Sequence, residues 1–260
     1  MDISGYLRRI NYNGVIYRDL ATLRELQRNH VSAIPFETLD IHNQIPIVLQ
    51  MNFLYQKVIH DRRGGYCYEL NLLFHHLLEL SGFDVSMVGG RLHHGNNKYG
   101  REFEHMALVV HLNDRNWLVD VGYGDFSLVP LAIMPGKIQG DGRHYYQIVD
   151  PVIVDGRNYL GVARWSNSKQ HFKIDYIFTL TPRALKDFNA MNEYHQTSPE
   201  SHFRRKLICT LPTPEGRTSL INHKLIRTEN GTRQVRIVQG SDHRDEILEQ
   251  YFHMDLVYLL

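Results

Sequence analysis

The stretch between residues 61 and 82 constrains the fold most strongly, because two glycines and a cysteine lead directly into an amphipathic run. Within residues 69–80, apolar side chains recur at helical spacing, at Leu70, Leu73, Phe74, Leu77 and Leu78. Gly82 stands where a helix C-cap belongs. The pattern predicts a buried helix after a flexible turn, with Cys67 at or near its N-terminus.

The predicted position of Cys67 favours ionisation of its thiol. Unpaired backbone N–H groups and the positive end of the helix dipole both stabilise a thiolate at a helix N-terminus. Arg62 and Arg63 precede it closely in the chain and are expected to act in the same direction. The hypothesis is therefore a nucleophilic cysteine with a lowered pKa. The alternative is a free cysteine that serves as a small buried hydrophobe.

The periodicity of the chain changes from helical to extended near residue 83. Helices are predicted at residues 19–30, with Asp19 as the N-cap, and at 52–60. Strands are predicted at residues 84–92, 104–112, 116–121, 145–149, 152–154, 159–164 and 172–178. A helix at 183–192, strands at 206–211, 218–221, 224–228 and 233–238, and a closing helix at 245–251 follow. The sequence thus predicts a helical unit, an antiparallel barrel-like unit and a mixed C-terminal unit.

A tight turn fixes the register of two of the predicted strands. Asn113-Asp114 is a two-residue hairpin signal, which places Asp120 opposite Ala107. His105 lies two residues before Ala107, so it shares a face with Asp120 and is diagonal to it, within reach of a long side chain. A loop longer by one residue would place the two side chains on opposite faces.

A thiol nucleophile needs a base, and the base needs a group that orients it. His105 and Asp120 each stand within an apolar strand, where an unpaired charge is costly, so each is expected to have a partner. Taken singly, they are a core histidine and a structural acid. Together with Cys67 they form a Cys-His-Asp triad, in which the acid fixes the imidazole tautomer. Glu104 and Asp125 are the competing acids, and Glu104 is disfavoured because it points to the opposite face from His105.

Composition excludes several classes of function. A net charge of +1 and a pI near 7.9 give no strong field for nucleic acid or an anionic membrane. No apolar run approaches the roughly 20 residues that span a bilayer, and no signal peptide is expected. The two cysteines make no disulfide framework, which favours a cytoplasmic location. The sixteen histidines include no HExxH motif or compact cluster, so no metal site is predicted.

Five blocks of the sequence resemble the arylamine N-acetyltransferases, in the right order and spacing. The blocks are Ile34-Pro35-Phe36-Glu37-Thr38-Leu39-Asp40, Arg63-Gly64-Gly65-Tyr66-Cys67-Tyr68-Glu69-Leu70-Asn71, His105-Met106-Ala107-Leu108, Val119-Asp120-Val121-Gly122-Tyr123-Gly124, and Asn192-Glu193-Tyr194-His195-Gln196-Thr197-Ser198-Pro199-Glu200-Ser201-His202-Phe203. The resemblance covers nearly the whole chain, and Thr38 stands where the family often has asparagine. It implies an α+β fold with a papain-like or transglutaminase-like core. Its parts are an N-terminal helical bundle (1–83), an antiparallel β-barrel (84–182), an interdomain helical segment (183–204) and a C-terminal α/β lid (205–260).

The resemblance also implies the chemistry. Acetyl-CoA is the acetyl donor, and arylamines, arylhydrazines or arylhydroxylamines are the acceptors, with no metal. The implied roles are nucleophile for Cys67, acid and base for His105, and orienting acid for Asp120. The acceptor pocket is implied at Phe36, Tyr123 and Gly124, although the two aromatics could equally fill core. CoA contacts are implied at Arg101, Glu102 and Phe103, an unusually charged version of this segment. A monomer or homodimer is expected.

Three rival functions remain open on the sequence. A thiol protease or transglutaminase would use the same core but would need a cleft that holds an extended peptide. An amide synthase, a relative of the family, would transfer a larger acyl chain and close a ring. A binding module without activity is disfavoured because all three triad residues are present.

Overall fold

The computed structural model describes residues 2–254 and is an α+β structure, as predicted. Helices dominate the N-terminal third, and thirteen strands within the described residues form two antiparallel sheets of eight and five strands. Residues 255–260, which the sequence assigns to the end of the lid, lie outside the described residues, as does Met1.

The N-terminal unit contains five helices and one short strand in the described residues. They are α1 (Ile3–Arg9), α2 (Leu20–Ala33), β1 (Phe36–Glu37), α3 (Leu39–His42), α4 (Met51–Tyr55), which continues into a π-helical turn (Gln56–His60), and α5 (Cys67–Leu80). The predicted N-cap of α2 is confirmed, because Asp19 Oδ1 accepts a hydrogen bond of 2.8 Å from Thr22 N. Helices α1 and α3 were not predicted, since seven and four residues are too short for a clear apolar period.

Helix α5 is the buried centre of this unit, and its predicted start and end are confirmed. It begins at Cys67, where the Glu69 carboxylate accepts a hydrogen bond of 3.0 Å from the backbone N–H of Tyr66. It ends before Ser81, and Gly82 follows with a φ of +84°, in the left-handed region that favours glycine. Because α5 packs against the larger sheet, the cysteine is held where the helical unit meets the strands.

The larger sheet is barrel-like and has the strand order β5-β4-β3-β2-β9-β8-β7-β6. Its strands are β2 (Asp84–Leu92), β3 (His105–Leu112), β4 (Arg115–Val119), β5 (Leu131–Ala132), β6 (Ile138–Gly140), β7 (Tyr145–Val154), β8 (Arg157–Ser166) and β9 (His171–Phe178). Residues 145–149 and 152–154, which were predicted as two strands, belong to the single strand β7. The pairing register of β7 shifts between Val149 and Val152, around a cis peptide bond between Asp150 and Pro151.

The hairpin between β3 and β4 has the predicted register. Asn113 and Asp114 adopt φ values of +52° and +57°, as a type I′ turn requires. Leu112 therefore pairs with Arg115, and Leu108 with Val119. The next residue after Val119 is the predicted orienting acid, so the turn geometry brings it beside the first residues of β3.

The smaller sheet lies mainly in the segment predicted as the lid and includes one strand of the N-terminal unit, with the order β1-β10-β11-β12-β13. Its C-terminal strands are β10 (Ile208–Thr213), β11 (Gly216–Ile221), β12 (Lys224–Glu229) and β13 (Thr232–Ile237). Helix α8 (Gly240–Phe252) packs on this sheet through Leu248, against a core that contains Leu211 and Leu220. Phe36 of β1 pairs with Thr210 of β10, so the N-terminal unit and the C-terminal segment belong to one sheet.

The segment between the two sheets is helical but starts later than predicted. The predicted helix at 183–192 is a 3₁₀ turn (Leu185–Phe188) that runs into α6 (Asn189–Thr197), followed by α7 (His202–Arg205). Arg183 instead forms an isolated antiparallel bridge, in which its N–H donates to the Met87 carbonyl at 2.9 Å, and the backbone is still extended at the N-cap Ala184. Within residues 2–254, no helix is long and apolar enough to cross a membrane.

Candidate active site

The thiol of Cys67 lies at the N-terminus of α5 and lines a cavity of about 960 Å³ between the helical unit, the barrel and the lid. The residue is only 2% exposed. Burial raises the pKa of this thiol, and the charge of Asp120 acts in the same direction, against the smaller effect of the Met106 and Tyr68 backbone N–H groups. The lowered pKa expected from the sequence is therefore wrong for the thiol considered alone, because desolvation outweighs the helix terminus.

The two arginines expected to favour the thiolate do not act on Cys67. Arg63 is buried, and its guanidinium lies 2.7 Å from Glu37 Oε1 and 2.8 Å from Asp40 Oδ1. Its charge is neutralised there by these two carboxylates. Arg62 does not line the cavity. The prediction that Arg62 and Arg63 stabilise the thiolate is therefore wrong. Their closeness to Cys67 in the chain does not determine the direction of such long side chains.

His105 and Asp120 form the predicted pair. His105 Nε2 lies 2.7 Å from Asp120 Oδ2, and the two side chains are buried. His105 also lines the cavity that contains Cys67. Because Nε2 is occupied by the carboxylate, Nδ1 is the ring nitrogen that remains for proton exchange.

Asp120 is held by three further donors, which the sequence did not predict. Asn71 Nδ2 and the Gly122 N–H donate to Oδ1 at 3.0 and 2.9 Å, and the Tyr176 hydroxyl donates to Oδ2 at 3.0 Å. Asn71 lies four residues after Cys67, one helical turn away, and this spacing was a usable signal. Tyr176 is contributed by β9, which neighbours the site only through the barrel topology. Burial, with the Asp120 charge, raises the pKa of Tyr176 well above its usual value, so it remains a donor.

The two competing acids have other partners. Glu104 lines the same cavity as His105, but its carboxylate lies 3.1 Å from His94 Nε2. Asp125 lies 2.8 Å from Arg164 Nη1 and 2.9 Å from Arg217 Nε. Both therefore leave Asp120 as the acid on His105.

All three residues expected at the acceptor pocket line the cavity: Phe36, Tyr123 and Gly124. The Tyr123 ring packs edge-to-face on the His105 imidazole, with centroids 5.6 Å apart. Gly124 has a φ of +89°, and a Cβ at this position would lie 3.3 Å from the Phe36 ring. A larger residue than glycine would therefore both strain the backbone and narrow the cavity.

Of the three residues expected to contact CoA, only Arg101 lines the cavity. Its guanidinium lies 4.3 Å above the Tyr194 ring and 3.8 Å from Glu200. Glu102 instead accepts a hydrogen bond of 2.5 Å from the Tyr159 hydroxyl. Phe103 packs on Phe188, with centroids 5.3 Å apart. The structure therefore does not place Glu102 or Phe103 at this site, because both side chains are directed to partners that do not line the cavity. Residues 2–254 contain no group of three or more potential metal ligands.

Comparisons with known proteins agree with this geometry. A family model described as N-acetyltransferase matches residues 19–259. The chain is 31% identical to the arylamine N-acetyltransferase pineal gland isozyme NAT-3 of Gallus gallus, over 98% of this chain and 95% of the relative. It is 35% identical to arylamine N-acetyltransferase 2 of Homo sapiens, over 83% of this chain and 79% of the relative.

Solved structures are similar over almost the whole chain. The arylamine N-acetyltransferase from Mycobacterium abscessus has a TM-score of 0.92 at 27% identity, covering 99% of this chain and 91% of that one. The Mycobacterium marinum enzyme in complex with CoA has a TM-score of 0.87 at 27% identity, covering 98% and 93%.

Proposed function

The chain is an acyltransferase that belongs to the arylamine N-acetyltransferase family, and we propose on that premise that it acetylates arylamines, arylhydrazines and arylhydroxylamines with acetyl-CoA. The proposed route is ping-pong, through an acetyl-cysteine on Cys67. The observation that supports it best is the buried contact of 2.7 Å between His105 and Asp120, in the wall of the cavity that Cys67 lines. The solved M. marinum relative in complex with CoA supports CoA as the carrier.

Formation of the nucleophile requires His105. Because burial raises the pKa of the Cys67 thiol, a lone thiolate is unfavourable in this cavity. Transfer of the thiol proton to Nδ1 of His105 instead creates a thiolate next to an imidazolium, and Asp120 stabilises the positive ring through Nε2. The charge is then balanced within the site, and the proton stays available for the leaving group.

The first half-reaction follows from that ion pair. The Cys67 thiolate attacks the thioester carbonyl of acetyl-CoA, and unpaired backbone N–H groups at the start of α5 stabilise the oxyanion. The bond from the acyl carbon to the CoA sulfur breaks, and His105 returns its proton to that sulfur. Free CoA thiol leaves, and the acetyl group remains on Cys67. Arg101, at the cavity wall, is the residue we assign to the phosphates of CoA.

The second half-reaction uses the same cavity. An aromatic amine is weakly basic, so its lone pair is free at neutral pH to attack the acetyl-cysteine. His105 accepts a proton from the attacking nitrogen and passes it to the Cys67 sulfur as the thioester breaks. Phe36 and Tyr123 offer faces to an aromatic ring, and Gly124 leaves room for it.

Separate half-reactions provide the test. Protein incubated with acetyl-CoA alone should carry one acetyl group on Cys67 by peptide mass spectrometry, and an added arylamine should remove it as the N-acetyl product. Cys67→Ala should abolish both steps, whereas Cys209→Ala, at the other buried cysteine, should leave them intact. Double-reciprocal plots should be parallel. Intersecting plots together with an unmodified Cys67 would overturn the proposal.

A further inference from the structure

A cluster of charged side chains closes the cavity where the loop after β4 meets the lid. Arg217, on β11, lines the cavity with a side chain that is 13% exposed. Its Nη1 donates to the Gly124 carbonyl at 2.7 Å and to the Thr210 hydroxyl at 2.9 Å. Its Nε lies 2.9 Å from Asp125 Oδ1. Arg217 therefore touches two residues that form the wall around the Phe36 ring.

The acid of this cluster is already occupied. Asp125 Oδ2 accepts a hydrogen bond of 2.8 Å from Arg164 Nη1. The other oxygen, Oδ1, is buried without a hydrogen-bond partner among the described residues and lies 2.9 Å from Arg217 Nε as an ion pair. Arg143 Nη2 approaches the same oxygen to 3.9 Å. Asp125 also lines the cavity with a side chain that is 41% exposed, but its two oxygens lie 2.8 and 2.9 Å from arginine nitrogens.

The arginine, in contrast, has donors to spare. A guanidinium carries five N–H groups, and Nη2 of Arg217 has no hydrogen-bond partner among residues 2–254. Burial lowers the pKa of Arg217 from its usual value. A guanidinium nevertheless keeps its proton in proteins, so Arg217 is a cation. An unpaired cationic donor that is partly desolvated is costly, and an anionic ligand group would satisfy it.

The charged side chains behind this wall balance one another. The free N–H donors of Arg217, rather than a net charge, therefore determine which ligand group binds here. Arg164 also pairs with Asp175 at 3.2 Å, and Arg143 follows closely on Asp141. The Asp141 carboxylate accepts hydrogen bonds from backbone N–H groups of residues 128, 143 and 144. Three carboxylates thus offset three arginines, and only Arg217 of the three lines the cavity.

We propose that Arg217 is a specificity-determining residue for the acceptor. Its free Nη2 binds a carboxylate or similar anionic substituent on the acceptor ring, at the end away from the amine. The amine then faces Cys67, and the ring lies along Phe36 and Gly124. The enzyme accordingly selects arylamines that carry a negative charge opposite the amino group. This inference rests on the proposed acetyl transfer.

The experiment compares 4-aminobenzoate with its neutral ethyl ester as acceptors. The two differ in amine reactivity, so the informative quantity is the acid-to-ester ratio of kcat/KM in a variant divided by that ratio in the wild type. Arg217→Ala should lower this ratio about tenfold or more, mainly through the KM of the acid, because a charge-assisted contact is lost. Arg217→Lys should recover part of it. Arg233→Ala, on the exposed strand β13 of the same sheet, is the matched control and should leave the ratio unchanged.

The rate at which acetyl-CoA acetylates Cys67 serves as the folding control, because it needs no acceptor. If Arg217→Ala lowers kcat/KM for both acceptors by the same factor, or changes neither value, Arg217 does not recognise the carboxylate and the inference fails. Efficient transfer to neutral arylamines with no transfer to 4-aminobenzoate would also refute it while the proposed function stands. A wild type that acetylates no amine would instead refute the proposed function.

Discussion

Tyr176→Phe removes one hydroxyl and almost nothing else from the candidate active site. The Tyr176 hydroxyl donates at 3.0 Å to Asp120 Oδ2, the oxygen that also contacts His105. The ring is fully buried and its size is unchanged in phenylalanine, so no cavity forms. What is lost is one of four donors to a buried carboxylate.

The expected cost follows from that count. Loss of a buried hydrogen bond to a charged group costs ~2 kcal/mol of unfolding free energy. For a chain of this length, that lowers the melting temperature by about 5 °C. Acetylation of Cys67 should slow by no more than about tenfold, because His105 keeps its contact of 2.7 Å with Asp120. The assays are thermal or urea unfolding and single-turnover acetylation followed by mass spectrometry.

Tyr146→Phe is the matched control. Tyr146 is equally buried in the same sheet, but its hydroxyl has no hydrogen-bond partner within the described residues. Its removal should be neutral or slightly stabilising, since a buried polar group without a partner is unfavourable. Equal stability changes in the two variants, or no change in Tyr176→Phe, would show that Tyr176 does not support Asp120 and would refute the reasoning.

Two further substitutions test the surroundings of the nucleophile and of the acceptor. Burial raises the pKa of Glu69 to about 7, against the attraction of Lys57 at 2.8 Å. Its contribution to stability is therefore present below about pH 4.5, the unfolded value, and is lost as pH rises through 7. Glu69→Gln should flatten this part of the pH dependence of stability in urea titrations, and an unchanged slope would contradict the shift. Gly124→Ala should lower kcat/KM for arylamines about tenfold without slowing Cys67 acetylation, because its Cβ would lie 3.3 Å from Phe36. Gly142→Ala, with a φ of +93° and open space around it, should match the strain but not the kinetic effect.

Local patterns were sufficient to predict the helix and strands that carry the residues of the proposed triad. The apolar spacing before Gly82 predicts helix α5, because a helix end and its buried face are encoded within a few turns. The two-residue turn at Asn113 and Asp114 determines the pairing register of β3 and β4. This register places His105 beside Asp120. In both cases the relevant distance along the chain is short, and backbone geometry alone decides the outcome.

Long-range contacts account for what the sequence did not predict. Tyr176 reaches Asp120 only because β9 pairs with β2 across the barrel. Arg63 was expected to favour the thiolate but is held by Glu37 and another acid of the helical unit. The raised pKa of Cys67 has the same origin, since desolvation depends on how many distant segments cover a residue. None of these effects can be predicted from the hydrophobic periodicity of the neighbouring residues.

In the proposed mechanism, the arrangement of these segments separates the residues that carry the chemistry from those that contact the acceptor. The groups that ionise and orient the nucleophile come from α5 and from the barrel, with Cys67 and His105 at their centre. The lid supplies another part of the cavity wall through Thr210 and Arg217, and the pairing of Phe36 with Thr210 fixes that wall to the helical unit. A substitution in β10 or β11 can therefore reshape or recharge the acceptor end while every hydrogen bond to Asp120 is preserved. In the proposed ping-pong route both half-reactions use this one cavity, so CoA leaves before the acceptor binds.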